Sequence, residues 1–193
     1  MNVKKRKGFT FIETLTVVAI IGFALPTLFS IVYSVLRQQA KINSLLVTKA
    51  EGDEAFSIIQ TLIRNRAVSV HNSSSVIDPS SVQCASKGST YPATATSDGT
   101  TFYLKDKYDN WFQIYLTSDG TIASDSSILN ASADLTSSKV KIDNFDIRCS
   151  GTTEFAAPVV SIRFRASYNT SSARPEDIAS LNYQTKVKIR NTH

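Results

Sequence analysis

Glu13 is the only charged side chain between Phe9 and Leu36, in the run FTFIETLTVVAIIGFALPTLFSIVYSVL. Lipid solvates a carboxylate poorly, so a charge inside a membrane-seeking segment marks function and asks for a partner, the alternative being a polar residue tolerated near the cytoplasmic interface. The chemistry it invites is ion pairing, because two charges brought together in low dielectric offset much of the burial cost of each. A suitable cation arises if the chain is cut after Gly8. Phe9 then carries a new α-amino group, mostly protonated at neutral pH by its usual pKa of about 8. Glu13 becomes the fifth residue of the shortened chain. Its carboxylate would meet that amine, its own or a neighbouring copy's, inside a bundle of identical helices.

Other reactive groups are few. Cys84 and Cys149 are the only cysteines. In an exported, oxidising compartment they are expected to pair, with two buried free thiols as the alternative. A bridge closing about 65 residues would stabilise by about 4 kcal/mol in the chain-entropy picture. His71 and His193 fall in an expected loop and at the terminus, where solvation is their expected state. Asp106, Asp109 and Asn110 crowd oxygen atoms together but lack the twelve-residue calcium-loop pattern, which leaves turn chemistry. Two cysteines without further His/Cys spacing do not form a metal site. No acid/base or nucleophile constellation stands out, and there is no Gly-rich phosphate loop of the Walker type. The expectation is a protein without cofactor or metal that is not an enzyme.

The elements that would hold Glu13 follow from the pattern around it. The apolar run of 28 residues would span about 42 Å as a helix, more than the roughly 30 Å hydrocarbon core. Lys4, Lys5, Arg6 and Lys7 precede it, which by the positive-inside rule puts the N-terminus in the cytoplasm and everything after Leu36 outside. A secretory signal has the same order of charge and apolar run, but needs a shorter run with a small-residue cleavage site after it. The segment is therefore expected to insert and stay. The net charge of +5 also rests on those four leader residues. Without them 17 Lys and Arg face 16 Asp and Glu, a net of +1, with no other basic cluster along the chain. Nucleic acid is not an expected partner.

Beyond Leu36 a helical pattern continues in water to about Arg66. Leu45, Leu46, Ile58, Ile59, Leu62 and Ile63 recur at spacings that make one sticky face suited to covering a sheet. Gly52 interrupts it as a packing point or a small break. Pro26 removes one helix hydrogen bond and is expected to kink or locally melt the run. From Val70 the composition turns to Ser, Thr, Asn, Asp and Gly. The stretch from His71 to Gly99 is expected to be mostly irregular, with Pro79, Gly88 and Pro92 as breakers. Strand patterns follow. Phe102 and Leu104 flank Tyr103; Phe112, Ile114 and Leu116 alternate with Trp111, Gln113 and Tyr115; Asp119-Gly120 offers a hairpin turn. Val160 to Tyr168 and Tyr183 to Ile189 alternate with period two, as antiparallel strands with one buried and one wet face do. The expected class is α+β: residues 1–8 a basic leader, 9–36 a membrane-spanning helix, 37–67 its amphipathic soluble half, and 68–193 an antiparallel β head packed on it.

The stretch Lys7-Gly8-Phe9-Thr10-Phe11-Ile12-Glu13-Thr14-Leu15 resembles the processing site of type IV prepilins and type II secretion pseudopilins. In that family a short basic leader ends in Gly, cleavage precedes Phe, the new amine is methylated, and a Glu stands at the fifth mature position. The resemblance implies that Gly8 is the residue before the cut, Phe9 the N-methylated terminus and Glu13 the assembly glutamate. It also implies a prepilin peptidase/N-methyltransferase, other pilin or pseudopilin subunits, an inner-membrane assembly platform and membrane lipid as partners. Pro26, the eighteenth residue after the cut, lies earlier than the proline of the best-known major pilins. The order of the helix end IIQTLIRNRAVS, hairpin strands, LTSSKVKIDNFDI and a last YQTKVKIRN strand is similar to the larger minor subunits.

Three functions fit these features to different degrees. A structural minor pilin or pseudopilin is expected; a binding pilin for adhesion or DNA uptake and a membrane-anchored exported enzyme are the alternatives. If the resemblance holds, mass spectrometry of the membrane-extracted protein will show a chain starting at Phe9 and one methyl heavier than its sequence. A mature chain still carrying Met1 to Gly8 would overturn the expectation.

Overall fold

The computed structural model describes residues 8–74, 82–84, 86–93, 95–96, 99–128, 132–151, 157–171, 174 and 178–190. The leader up to Lys7, Pro79 and His193 lie outside them. One helix, α1 (Phe11–Arg66), contains 56 residues, about 84 Å of length. It starts after Thr10, whose extended backbone makes it the N-cap, and leaves the helix at Ala67 with Arg64 and Arg66 complementing the dipole at its last turn. It runs unbroken through Pro26, whose missing N–H removes one bond of the ladder without ending it.

Among the described residues twelve strands follow: β1 (Ser69–His71), β2 (Val82–Gln83), β3 (Thr90–Ala93), β4 (Ala95–Thr96), β5 (Gly99–Thr100), β6 (Tyr103–Lys105), β7 (Trp111–Leu116), β8 (Ile122–Ser126), β9 (Ala133–Asp134), β10 (Val140–Ser150), β11 (Val159–Tyr168) and β12 (Ser180–Lys188). The stretch after His71 therefore contains short strands where irregular chain was expected. Strands of two to four residues carry too little alternation to be seen before their partners are known. β12, β11, β10 and β3 form one antiparallel sheet in that order. The remaining eight form the second sheet, in the order β2-β1-β6-β7-β4-β5, with β8 pairing β7 and β9. Asp119 and Gly120 lie in the connection from β7 to β8, where Gly120 takes the positive φ of 79° that a tight turn allows glycine.

The soluble half of α1 packs along β10, β11 and β12. Ser44, Thr48, Gly52, Ala55, Ile59 and Ile63 are its buried residues, four or three apart and so on one face. Ile59 and Ile63 were expected there; Leu46 was too, but is 60% exposed. Small residues take the upper part of the stripe because an aromatic side chain crosses it. Tyr183 of β12 lies over Gly52, and a methyl added at that position would overlap its ring and hydroxyl. The ring stacks on Phe164 of β11 at 4.9 Å and tilts against Phe56 at 5.6 Å. Its hydroxyl donates to the Lys49 carbonyl at 3.3 Å. Burial and the nearby Asp53 carboxylate push the phenol up to about 12, so it remains a donor. The buried hydroxyls of Thr48 and Ser44 donate to the carbonyls one turn back, at 2.8 and 3.1 Å, and enter the interface already satisfied.

Gly52→Ala tests this contact. Ala is ordinarily worth about 1 kcal/mol over Gly inside a helix, but overpacking a fixed ring costs about 1–3 kcal/mol. The urea midpoint of Gly52→Ala is expected to fall, and Gly52→Ala with Tyr183→Leu to recover most of the loss. A Gly52→Ala protein at least as stable as the parent would show that the ring yields freely.

Candidate functional site

The N-terminal end of α1 carries the residues singled out by chemistry. Gly8 has no heavy atom of the rest of the chain within 4 Å of where a side chain would begin, and Phe9 is 76% exposed. Thr10 and Glu13 form the N-cap pair of the helix. The Thr10 N–H donates to Glu13 Oε2 at 3.5 Å, and the Glu13 and Thr14 N–H groups reach the Thr10 carbonyl at 3.1 and 3.2 Å. Thr-x-x-Glu before an apolar run is a helix-start signal, and it was present in the sequence as Thr10 to Glu13. Glu13 therefore has a local job besides its charge: it helps to start the helix.

Three threonines of the apolar run satisfy their own hydroxyls. Thr14, Thr16 and Thr27 hydroxyls donate to the carbonyls of Phe11, Glu13 and Ala24 at 2.8, 2.9 and 2.7 Å. Each is thus hydrogen-bonded within the helix, as hydrocarbon requires. The Glu13 carboxylate differs from them in being an acidic group with one long hydrogen bond. The apolar segment is exposed throughout, and it is the one described helix long and apolar enough to cross a membrane. At its far end the Arg37 guanidinium lies over the Tyr33 ring at 4.2 Å and donates to its hydroxyl. Tyr and Arg together are the residue types that hold a helix at a lipid–water boundary.

In the head, Cys84 and Cys149 are joined by a disulfide with Cα atoms 6.1 Å apart. Cys84 follows β2 and Cys149 lies on β10, so the bond ties the two sheets to each other. Both are buried. Gly151 beside them leaves no room for a side chain, because the Cys84 and Ser86 carbonyls occupy that space. The oxygen cluster at Asp106 is a turn: its Oδ1 accepts the backbone N–H groups of Tyr108 and Asn110 at 2.8 and 3.0 Å. His71 departs from expectation. It sits on β1, is 3% exposed, and its Nε2 lies 2.8 Å from the Ser69 hydroxyl. Burial, with Lys105 nearby, holds its pKa below the usual histidine range against the pull of Asp109. A three-residue strand hid the burial, since Ser-Val-His has no length over which alternation can show.

Comparison with protein-family models, curated proteins and solved structures gave no match for this chain.

The bridge closes a loop of 65 residues, worth about 4 kcal/mol in the chain-entropy picture. Urea unfolding followed by Trp111 fluorescence should show Cys84→Ser/Cys149→Ser less stable than the parent by up to that amount. Identical midpoints with and without reductant would show that the bridge contributes nothing.

Proposed function

We propose that this protein is a minor subunit of a type IV pilus or type II secretion pseudopilus, processed after Gly8 and assembled through its N-terminal helix. The observation that carries the proposal is a single helix with two characters. Its first half is apolar, exposed and begins at a lone carboxylate; its second half is packed on an antiparallel head. Among the described residues nothing covers the apolar surface of such a helix, which suits it to lipid or to other helices. In this scheme the leader lies in the cytoplasm, the helix crosses the inner membrane and the head lies outside. A prepilin peptidase/N-methyltransferase acts at Gly8 and Phe9, and an assembly platform moves the helix from lipid into a bundle.

Glu13 gives that bundle its register. Near the membrane face, water and snorkelling keep the carboxylate tolerable. When water is lost in the bundle, the carboxylate pairs with the methylated amine of Phe9 on a neighbouring subunit. A wrong register leaves acid and amine unpaired, at a cost of several kcal/mol.

The cap and the charge are separable. Glu13→Gln keeps an acceptor for the Thr10 N–H and loses the charge; Glu13→Val loses both. Both variants should insert and be cut at Gly8, and both should lose crosslinks to neighbouring subunits in cells. Full crosslinking by Glu13→Gln with loss only in Glu13→Val would assign Glu13 to the cap and overturn the pairing role.

A further inference from the structure

The net charge of the chain after the leader is small, but the charges are segregated, and the sheets show where they go. On the four-stranded sheet, the face away from α1 presents Lys141, Arg148, Arg163, Arg165, Lys186 and Lys188, all exposed. Among the described residues only Asp143 and Asp146 oppose them there, giving those side chains a net of +4. The chain after the leader sums to +1, so everything else in it sums to −3. The absence of a basic cluster along the chain thus did not extend to the fold: cations two residues apart on β11 and on β12 join Lys141 and Arg148 of β10 in one patch.

The geometry of the patch is extended. From Lys188, opposite Val159, to Lys141, opposite Ser167, the cations spread over about 27 Å of strand. A DNA duplex presents one negative charge per about 1.7 Å of its axis. Asp146 bonds Arg148 and Arg163 at 2.9 and 3.0 Å, which fixes their direction and neutralises one of them. Neither Lys186 nor Lys188 pairs with a carboxylate among the described residues. Between these side chains lies an open depression of about 390 Å³, where Thr90, Ser150, Ser161 and Gln184 add uncharged donors to Arg148, Arg163 and Lys186.

What the face lacks decides its occupant. A protein partner needs a buried apolar or aromatic anchor, and Val159 is the only apolar residue among the described positions of the outward register on β10, β11 and β12. A single strand of nucleic acid needs a run of aromatic platforms for its bases; Tyr183 and Phe164 point to the helix, and Phe145, beside Arg148 and Arg163 at the bulge, is half-buried against Phe164. Cations with hydroxyl and amide donors are what phosphate-backbone contact uses. We infer that the outer face of the four-stranded sheet binds double-stranded DNA through its phosphates, without reading sequence. This goes beyond the subunit role and does not depend on it, because it concerns a single head.

The test uses the full chain in zwitterionic lipid nanodiscs, with Lys4, Lys5, Arg6 and Lys7 replaced by Gln so that the leader cannot bind. Fluorescence anisotropy of a labelled 30-base-pair duplex is measured between 50 and 200 mM NaCl. With about four phosphate contacts, affinity should fall about 150-fold over that range, a log–log slope near −3.6. Arg163→Gln/Lys186→Gln should lower affinity at least tenfold at 50 mM and bring the slope to about −1.8. Arg163→Lys/Lys186→Arg should retain binding, and Lys107→Gln, outside the face, should leave it unchanged. No binding at 50 mM, or binding insensitive to Arg163→Gln/Lys186→Gln, would overturn the inference. So would polyglutamate or single-stranded DNA competing as well as the duplex; the first would point to an acidic protein instead.

Discussion

The close approach of α1 to β12 at Gly52 is the constraint on which the rest of the head depends. A sheet can lie flat on a helix only where the helix offers no bulk, and here Ser44, Thr48, Gly52 and Ala55 clear a path. Tyr183 fills that path, Phe164 and Phe56 hold the ring, and Ile59 and Ile63 continue the contact into the larger core. Because β12 is fixed in this way, β11 and β10 are placed by register alone. The outward positions of the three strands then follow without further choice, since successive side chains in a strand alternate faces. A packing requirement on one side of the sheet thereby determines the charge pattern on the other.

The same helix meets a different requirement in its first half. There its threonines close their hydroxyls onto their own backbone, and its large apolar side chains stay uncovered. The two halves are continuous, so the orientation of the head is tied to whatever surrounds the apolar segment. Tyr33 and Arg37 stand at the point where one environment gives way to the other.

Much of this was legible in the sequence, for physical reasons that can be named. Long patterns were visible: the apolar run of α1, and the period-two alternation of β7, β11 and β12. The class, a long helix on antiparallel sheet, followed from them. β10 was harder because its alternation changes parity midway. Val140 and Ile142 are buried, then Ile147 and Cys149, with a bulge between Asp143 and Asp146 where Asn144 takes a φ of 55°. An extra residue of this kind reverses which positions face inward. His71 escaped because its strand is three residues long, and the Tyr183–Gly52 contact because its partners are 131 positions apart. At the N-terminus the charge of Glu13 was plain, whereas its service to the Thr10 N–H was written in the same four residues and overlooked beside the charge.

The disulfide between Cys84 and Cys149 has a mechanical consequence. The chain would be held at one end by an anchored helix and loaded through its head. Without the bond, the 65 residues between the cysteines could be drawn out to about 220 Å at full extension. With it, tension passes across the sulfur atoms and the strands inside the loop are bypassed. A pull strong enough to peel β10 from β11 would still meet a closed ring, and the slack available to the head is set by the segments outside it.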